Sequence, residues 1–161
     1  KVALYGSPLW TLLIACGLIL MFKAILLARA RRHGSPKTRV AAGWNAIRML
    51  AEQSGITAKG TRRDQAGAIA RQLGTDDQAL IQLGREADYA TFSGQDIESG
   101  QATTYWTGVD QLRKAMLASL PRFRRIRTRL SLKSVAILSN GHAAKPHTTH
   151  VKRTRKKGKA S

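Results

Sequence analysis

The sequence contains a single cysteine, Cys16, and no acidic residue after Asp110. One cysteine excludes an intrachain disulfide, and a thiol within an apolar run behaves as a small apolar side chain. A cysteine nucleophile needs a neighbouring base, and the apolar run around Cys16 offers none. The cysteine content therefore points neither to an oxidising compartment nor to thiol chemistry.

Catalytic and metal-binding sets are also missing. The histidines, His33, His142, His147 and His150, lie in segments predicted to be linkers or tail, and no cysteine or carboxylate completes a metal site beside them. No alternating strand pattern occurs, so no glycine-rich loop follows a strand to hold a phosphate. We therefore expect no catalytic residue, no metal and no cofactor, and no enzymatic activity of this chain itself.

The net charge of +19 is unevenly distributed. Residues 1–28 have two basic side chains and residues 29–43 have five, whereas residues 44–120 contain eight basic and all nine acidic residues. The remaining thirteen basic residues lie in residues 121–161. Two basic flanks thus surround a nearly neutral middle, a pattern that indicates membrane topology and leaflet contact rather than a nucleic-acid surface.

Residues 9–28 form an apolar stretch interrupted by one charge, Lys23. A helix of about 20 residues, rising about 1.5 Å per residue, crosses the ~30 Å hydrocarbon core of a bilayer. The basic cluster follows the apolar core, as in a stop-transfer segment, whereas a signal peptide has its basic residues first. A buried core helix is the other alternative. We predict that residues 1–34 comprise a transmembrane helix and a basic juxtamembrane flank, with Lys23 extending toward the interface.

The flanking charges orient this span. Lys1 is the one basic residue before it, five basic residues follow directly, and no acidic residue occurs until Glu52. Because positively charged flanks stay in the cytoplasm, the C-terminal part is expected to be cytoplasmic and the protein to reside in the cell membrane. The chain begins with Lys1 instead of methionine, which suggests that a longer protein precedes it; a cleaved precursor would look the same.

Residues 35–121 are predicted to be a helical domain of about four helices joined by short polar loops. Apolar residues recur at helical spacing between a break at Pro36 and a second break at Pro121, with Gly55 as a left-handed cap, Gly74 as the end of a short helix and Thr61 as an N-cap. Such helices are stabilised by burying apolar faces against each other. The candidate core residues are Trp44, Phe92, Tyr105 and Trp106.

Residues 122–138 form a basic amphipathic segment in which arginines alternate with Phe123, Ile126 and Leu130 on one helical face. This pattern is suited to an anionic leaflet, and a solvated extension of the last helix is the alternative. Residues 139–161 contain too few apolar residues to offset the entropy cost of ordering and are predicted to be a disordered basic tail. The expected membrane-interface residues of the whole chain are Trp10, Lys23, Arg29, Arg31, Arg32, Arg122, Arg124, Arg125, Arg127 and Arg129.

The predicted fold class is therefore all-α: one transmembrane helix, then a small cytoplasmic bundle of about four helices, then a disordered basic tail. The expected partners are the lipid bilayer with its anionic head groups and an unknown cytoplasmic protein. A basic, membrane-associated nucleic-acid-binding protein is the alternative, because the tail resembles an arm that binds phosphates without sequence preference. Since a tail near a membrane already has an anionic partner, nucleic acid is the less favoured ligand.

Several motifs of the middle region resemble a known family. They are Ala42-Gly43-Trp44-Asn45 with Leu50 and Gly55, Gly60-Thr61-Arg62-Arg63-Asp64-Gln65-Ala66, Ala87-Asp88-Tyr89-Ala90-Thr91-Phe92-Ser93-Gly94, Tyr105-Trp106, Val109-Asp110, Leu112-Arg113 and Ser131-Leu132-Lys133-Ser134. Over about residues 5–138 the chain resembles the C-terminal region of actinobacterial transglutaminase-like membrane proteins, in which a last membrane helix leads to a helical cytoplasmic region.

The resemblance implies a non-catalytic role for this chain. In that family a Cys-His-Asp set belongs to an extracytoplasmic transglutaminase-like (papain-fold) domain, and no residue here matches it. The resemblance thus implies a membrane-anchored C-terminal module for cytoplasmic interaction or regulation, with an upstream domain of the same protein as a further partner.

Overall fold

The computed structural model describes residues 3–75, 77–132 and 136–139, so the predicted tail beyond Ser139 lies outside the described residues. Every regular element in the described ranges is a helix, and none of those residues forms a strand. The predicted all-α class, with an N-terminal candidate span followed by a helical bundle, is confirmed. The helices are α1 (Ala3–Arg32), α2 (Pro36–Gln53), α3 (Arg62–Leu73), α4 (Asp77–Phe92), α5 (Ser99–Ser119), α6 (Arg122–Leu130) and the single turn α7 (Ala136–Ser139).

Helix α1 is continuous over 30 residues. Its stretch Pro8–Arg32 is long and apolar enough to cross a membrane, and the most apolar part of it is not buried by the rest of the protein. Large apolar side chains project into the surroundings from Leu9 to Ile25. Among the described residues, α1 is the one helix with this combination of length, composition and exposure.

Helix α2 is the centre of the bundle and contacts α1, α4, α5, α6 and α7. It begins at Pro36, with the Ser35 hydroxyl accepting a hydrogen bond from the Thr38 amide. It ends in a Schellman motif, in which the amide of Ile56 donates to the carbonyl of Ala51 and Gly55 has a φ of 86°. The predicted glycine cap is therefore present.

Helices α3 and α4 form a pair that packs on α2. The predicted N-cap of α3 is confirmed as a full capping box, because Thr61 accepts from the Asp64 amide and Asp64 accepts from the Thr61 amide. The helix ends at Leu73 and is capped by Gly74, which has a φ of 62° and donates to the carbonyl of Ala70. Local sequence signals thus define both ends of α3.

Three of the four predicted core aromatics are buried. Trp44 and Trp106 are each 1% exposed, and Tyr105 is 4% exposed. Their polar atoms are hydrogen-bonded: Trp44 Nε1 donates to Gln65 Oε1, Trp106 Nε1 donates to the Arg39 carbonyl, and the Tyr105 hydroxyl donates to the Leu83 carbonyl. These bonds remove the cost of burying a polar group without a partner.

The prediction that Phe92 is a core residue is wrong, because this side chain is 78% exposed. The core-facing positions of α4 include Ala87 and Ala90. A residue two positions after Ala90 is rotated by about 200° around the helix and therefore points away from the core. The ring of Phe92 instead lies beneath the guanidinium of Arg62, whose carbon is 5.9 Å from the ring centroid.

Helices α2 and α5 approach each other closely at Gly43. A Cβ atom at this position would lie 2.7 Å from Tyr105 Cε1 and 3.2 Å from Val109 Cγ2. Such distances are shorter than van der Waals contact, so any side chain larger than hydrogen displaces the ring. Gly43 therefore allows the contact that joins the two longest helices of the bundle.

Candidate membrane-proximal site

The last turns of α1 belong to the bundle. Leu26, Leu27 and Ala30 pack against the core, whereas the apolar side chains before them are largely exposed. The change occurs near Lys23, about one turn before the first of these packed residues. Helix α1 thus joins the exposed apolar stretch to the bundle without an intervening loop.

The amino group of Lys23 is held by four oxygen atoms of the bundle. It donates to Gln53 Oε1 at 2.7 Å and to the backbone carbonyls of Thr128, Arg129 and Ser131 at 3.0–3.1 Å. The three carbonyls belong to the C-terminal end of α6, where the helix dipole favours a cation and carbonyls lack intrahelical partners. Lys23 therefore caps α6 from α1.

This placement changes the interpretation of the span. We predicted that the side chain of Lys23 extends toward the interface, whereas the structure shows it bound to α6 and α2. The apolar residues before Lys23, residues 9–22, rise about 21 Å along the helix, which is less than the ~30 Å of a bilayer core. The candidate span Pro8–Arg32 includes Lys23 and the turns of α1 that contact the bundle.

A second polar contact joins α1 to α5. Arg31 Nη1 lies 2.7 Å from Asp110 Oδ2, and the other carboxylate oxygen of Asp110 lies 3.8 Å from Arg113 Nη1. The Nε atom of Arg113 is buried and has no hydrogen-bond partner among the described residues. Burial lowers the pKa of Arg113, which the Asp110 carboxylate partly opposes. One carboxylate thus serves two guanidinium groups.

Arg39 of α2 completes the junction. Its Nε atom donates to the carbonyl of Arg31 at 2.6 Å, and its two Nη atoms donate to the hydroxyls of Ser99 and Thr103. A single side chain therefore links the C-terminal end of α1 to the first turns of α5. These hydrogen bonds fix the turn between α1 and α2 against the beginning of α5.

Helix α6 presents a mixed surface. Thr128 is 1% exposed and faces α2, whereas Phe123 and Ile126 are 81% and 58% exposed. Arg125 bends back to donate to the carbonyls of Ala118 and Leu120, so it caps α5 and is not free for a leaflet. The exposed apolar side chains and the remaining arginines are therefore the surface that α6 offers.

The predicted interface residues fall into two groups. Lys23, Arg31 and Arg125 are bonded within the protein. The others are exposed, in α1 or in α6: Trp10, Arg29, Arg32, Arg122, Arg124, Arg127 and Arg129. The structure thus places charged side chains of α1 and α6 around the same end of the exposed apolar stretch.

Two cavities lie at this junction. A basic cavity of about 280 Å³ is lined by Arg31, Arg32 and Arg113, with Asp110 and the ring of Trp106. An apolar crevice of about 270 Å³ runs along α1 past Leu20, Ala24 and Leu27 to Leu117, with Lys23, Arg113 and Arg129 also at its walls. Leu27 and Arg113 line both, so the two spaces adjoin.

A separate cleft of about 540 Å³ lies on the α4–α5 side of the bundle. Its lining includes Glu86 and Glu98 with the aromatic side chains Tyr89 and Tyr105. Burial raises the pKa of Tyr105 above its ordinary value, so its hydroxyl stays protonated and acts as a donor.

The described residues contain no group of three His, Cys, Asp or Glu side chains that could hold a metal ion.

Comparison with known proteins finds no match: no family model fits the chain, no curated protein is similar in sequence, and no solved structure has a matching fold.

Sequence reasoning missed Gln53, Thr128 and the role of Asp110 at this junction. Gln53 and Thr128 are polar side chains at buried positions, but polarity alone does not reveal burial. The available signal was Lys23 itself, because a charge within an apolar helix requires a partner. That signal indicates that partners exist and does not identify them.

Proposed function

We propose that this chain is a non-catalytic, membrane-anchored helical module that holds its bundle against the cytoplasmic surface of the cell membrane, for interaction with or regulation by other proteins. The observation that carries the proposal is the direct junction between α1 and the bundle, formed by Lys23 with α6 and by Arg31 with Asp110. A bundle on a flexible linker would move freely, whereas this one has a defined position relative to its anchor.

The orientation is supported by the distribution of charge. Five basic residues lie between residues 29 and 43, and the exposed arginines of α6 lie near the same end of α1. Cationic side chains beside a span favour the cytoplasmic side, where the leaflet is also anionic. Phe123 and Ile126 add apolar area that fits the boundary between head groups and acyl chains.

The wider protein proposed for this module is a transglutaminase-like (papain-fold) membrane protein, of which the chain would be the C-terminal, cytoplasmic end. The residues that carry the resemblance contact one another: Trp44 bonds to Gln65, Arg62 bonds to Asp88, and Gly43 lies against Tyr105. These residues therefore build the bundle, which is the part of the chain on which the proposed resemblance rests. The coding sequence upstream of Lys1 tests this point, and an in-frame start at this position would contradict it.

The membrane proposal is tested on the whole chain expressed in a bacterial cell. We expect it to stay with the membrane fraction after extraction at alkaline pH, which removes peripheral proteins. For orientation, Lys114→Cys in a Cys16→Ala background places one exposed thiol on α5. Labelling by a membrane-impermeant maleimide only after cell lysis supports the proposed topology, and labelling of intact cells contradicts it.

The alternative is a membrane-associated protein that binds nucleic acid through α6 and the basic tail. Counterion release makes such binding strongly dependent on salt concentration. If the detergent-solubilised chain binds duplex DNA at physiological salt, and anionic vesicles do not compete, this alternative replaces the leaflet contact.

A further inference from the structure

The basic cavity and the apolar crevice adjoin at the end of the exposed apolar stretch of α1. The cavity contains three guanidinium groups and a single carboxylate, that of Asp110. Two positive charges are therefore left unbalanced in the lining, because Arg31 and Arg113 share Asp110 and Arg32 has no acidic neighbour there. An anion in this cavity would balance them.

Arg113 shows most clearly that the site is incomplete. Its side chain is 19% exposed, its Nε atom is buried without a hydrogen-bond partner among the described residues, and its ionic contact with Asp110 is long, at 3.8 Å. A guanidinium carries five N–H donors in a planar fork that matches the oxygens of a phosphate. Arg113 lines the cavity and has one long ionic contact there, so a phosphate-like ligand would supply acceptors to its guanidinium.

The order of the two spaces along α1 identifies the kind of molecule. The apolar crevice begins at Leu20 and Ala24, and the basic cavity follows at Arg31 and Arg32, farther from the apolar stretch. A phospholipid beside a transmembrane helix has the same order, with acyl chains in the hydrocarbon and the phosphate at the surface. Basic pockets beside membrane helices bind anionic head groups in this way.

From this arrangement we propose that the two spaces form a binding site for one anionic phospholipid, with its phosphate in the basic cavity and the upper part of an acyl chain in the apolar crevice. Arg113, Arg31 and Arg32 bind the phosphate. Leu20, Ala24 and Leu27 contact the acyl chain. The site deepens the proposed function, on which it rests, because a bound lipid would fix the bundle at the leaflet.

The test uses the full chain in a mild non-ionic detergent and native mass spectrometry, with phosphatidylglycerol or phosphatidylcholine added. We expect one tightly bound phosphatidylglycerol per chain and a preference of about tenfold over phosphatidylcholine. Arg113→Gln and Arg32→Gln should each weaken binding about tenfold, as expected for loss of a charge-assisted bond. Arg85→Gln, on the exposed side of α4, removes the same charge and should leave binding unchanged.

A second variant tests the crevice without changing the charge. Ala24→Trp fills the space beside Leu20 and Leu27, and should abolish the adduct while the helical content stays the same. Arg32 is exposed, so Arg32→Gln keeps the test valid if Arg113→Gln does not fold. Equal binding of both lipids, or unchanged binding in Arg32→Gln and Ala24→Trp, would overturn the proposal.

A third measurement distinguishes lipid from a soluble anion. Inorganic phosphate and glycerol phosphate are added at millimolar concentration while thermal unfolding is followed. We expect little stabilisation compared with phosphatidylglycerol, and stabilisation by the free anions to the same extent would assign the cavity to a soluble phosphate and refute the lipid. Membrane integration at alkaline pH without lipid preference would refute this inference alone, whereas loss of integration would refute the proposed function.

Discussion

The amino group of Lys23 in α1 lies 2.7 Å from Oε1 of Gln53 at the C-terminal end of α2. The same amino group also donates hydrogen bonds to three carbonyl oxygens at the end of α6. A single lysine in an otherwise apolar run therefore connects the candidate membrane span to two helices of the bundle. This relationship makes the position of α6 relative to the span a testable property.

Replacing Lys23 by methionine should release the end of α6. The change keeps most of the side-chain volume but leaves the carbonyls of Thr128, Arg129 and Ser131 without their shared donor. We expect a loss of about 1–3 kcal/mol in the free energy of unfolding, because unpaired, partly buried acceptors carry a desolvation cost. Hydrogen exchange of the full chain in detergent should show that Lys23→Met speeds up amide exchange in α6, relative to the wild type, more than it does in α3.

Lys114→Met, at an exposed position of α5, is the matched control. It removes the same charge and should change neither the exchange of α6 nor the stability by more than about 0.5 kcal/mol. If the two variants have the same exchange rates in α6, the cap is not a stabilising contact.

A small substitution at Gly43 should disrupt the contact between α2 and α5. Gly43→Ala places a methyl group 2.7 Å from the ring of Tyr105, and overpacking of this kind costs about 1–3 kcal/mol. Gly100→Ala in α5 has no neighbouring atom within 4 Å and should stabilise the chain by about 0.4–1 kcal/mol. Thermal unfolding of both variants shows whether each substitution lowers or raises the stability. If Gly43→Ala raised the stability, the two helices would be able to move apart without an energetic cost.

The two aromatic side chains Phe92 and Trp106 should respond very differently to truncation. Phe92→Ala removes an exposed ring and its contact with Arg62, for which we expect a cost of about 1 kcal/mol or less. Trp106→Ala removes a ring that is 1% exposed and should cost about 3–5 kcal/mol. Denaturant unfolding measures both, and a large effect at Phe92 would indicate a partner that covers it.

The capping box of α3 predicts a dependence on pH. Hydrogen bonds from the Thr61 hydroxyl and amide lower the pKa of Asp64 below its ordinary value. A lowered carboxyl pKa contributes stability above the unfolded value of about 3.9, and this contribution is lost as the pH falls through the folded value. The stability difference between the wild type and Asp64→Asn should therefore be constant near neutral pH and should shrink below about pH 4.

Thr61→Val separates the contribution of the Thr61 hydroxyl to the lowered pKa of Asp64 from that of the Thr61 amide. The variant lacks the hydroxyl that donates to Asp64 Oδ2 but keeps the shape of the side chain. The pKa of Asp64, followed by carboxyl NMR chemical shifts, should rise toward its ordinary value. An unchanged titration would show that the hydroxyl bond does not lower the pKa.

The end of the candidate membrane span can be located by thiol accessibility. Cys16 lies in the exposed apolar stretch of α1 and should be protected from aqueous maleimide in the intact membrane. Ala28→Cys in a Cys16→Ala background lies beyond Lys23, beside the basic cavity, and should react. Protection of residue 28 to the same degree as residue 16 would place the whole of residues 9–28 in the hydrocarbon, as the apolar run alone suggested.

Much of the secondary structure follows from local sequence. The candidate span is visible because its apolar residues are contiguous. The ends of α2 and α3 are visible because Gly55, Thr61 and Gly74 act on backbone groups within a few residues of themselves. Helical spacing likewise identified Trp44 and Trp106 as core residues, since each lies on the apolar face of its own helix. Phe92 was assigned incorrectly, because its size suggested burial while its position on α4 points outward.

Other features depend on which helices pack together. Nothing near Lys23 in the sequence indicates that its acceptors lie in α2 and α6, because Thr128 and Arg129 are more than a hundred residues away. The burial of Arg113 and its sharing of Asp110 with Arg31 also arise only when α1 packs on α5. Short-range backbone geometry thus determined the helices from the sequence, whereas desolvation and the pairing of charges, which depend on distant chain segments, were decided by the tertiary structure.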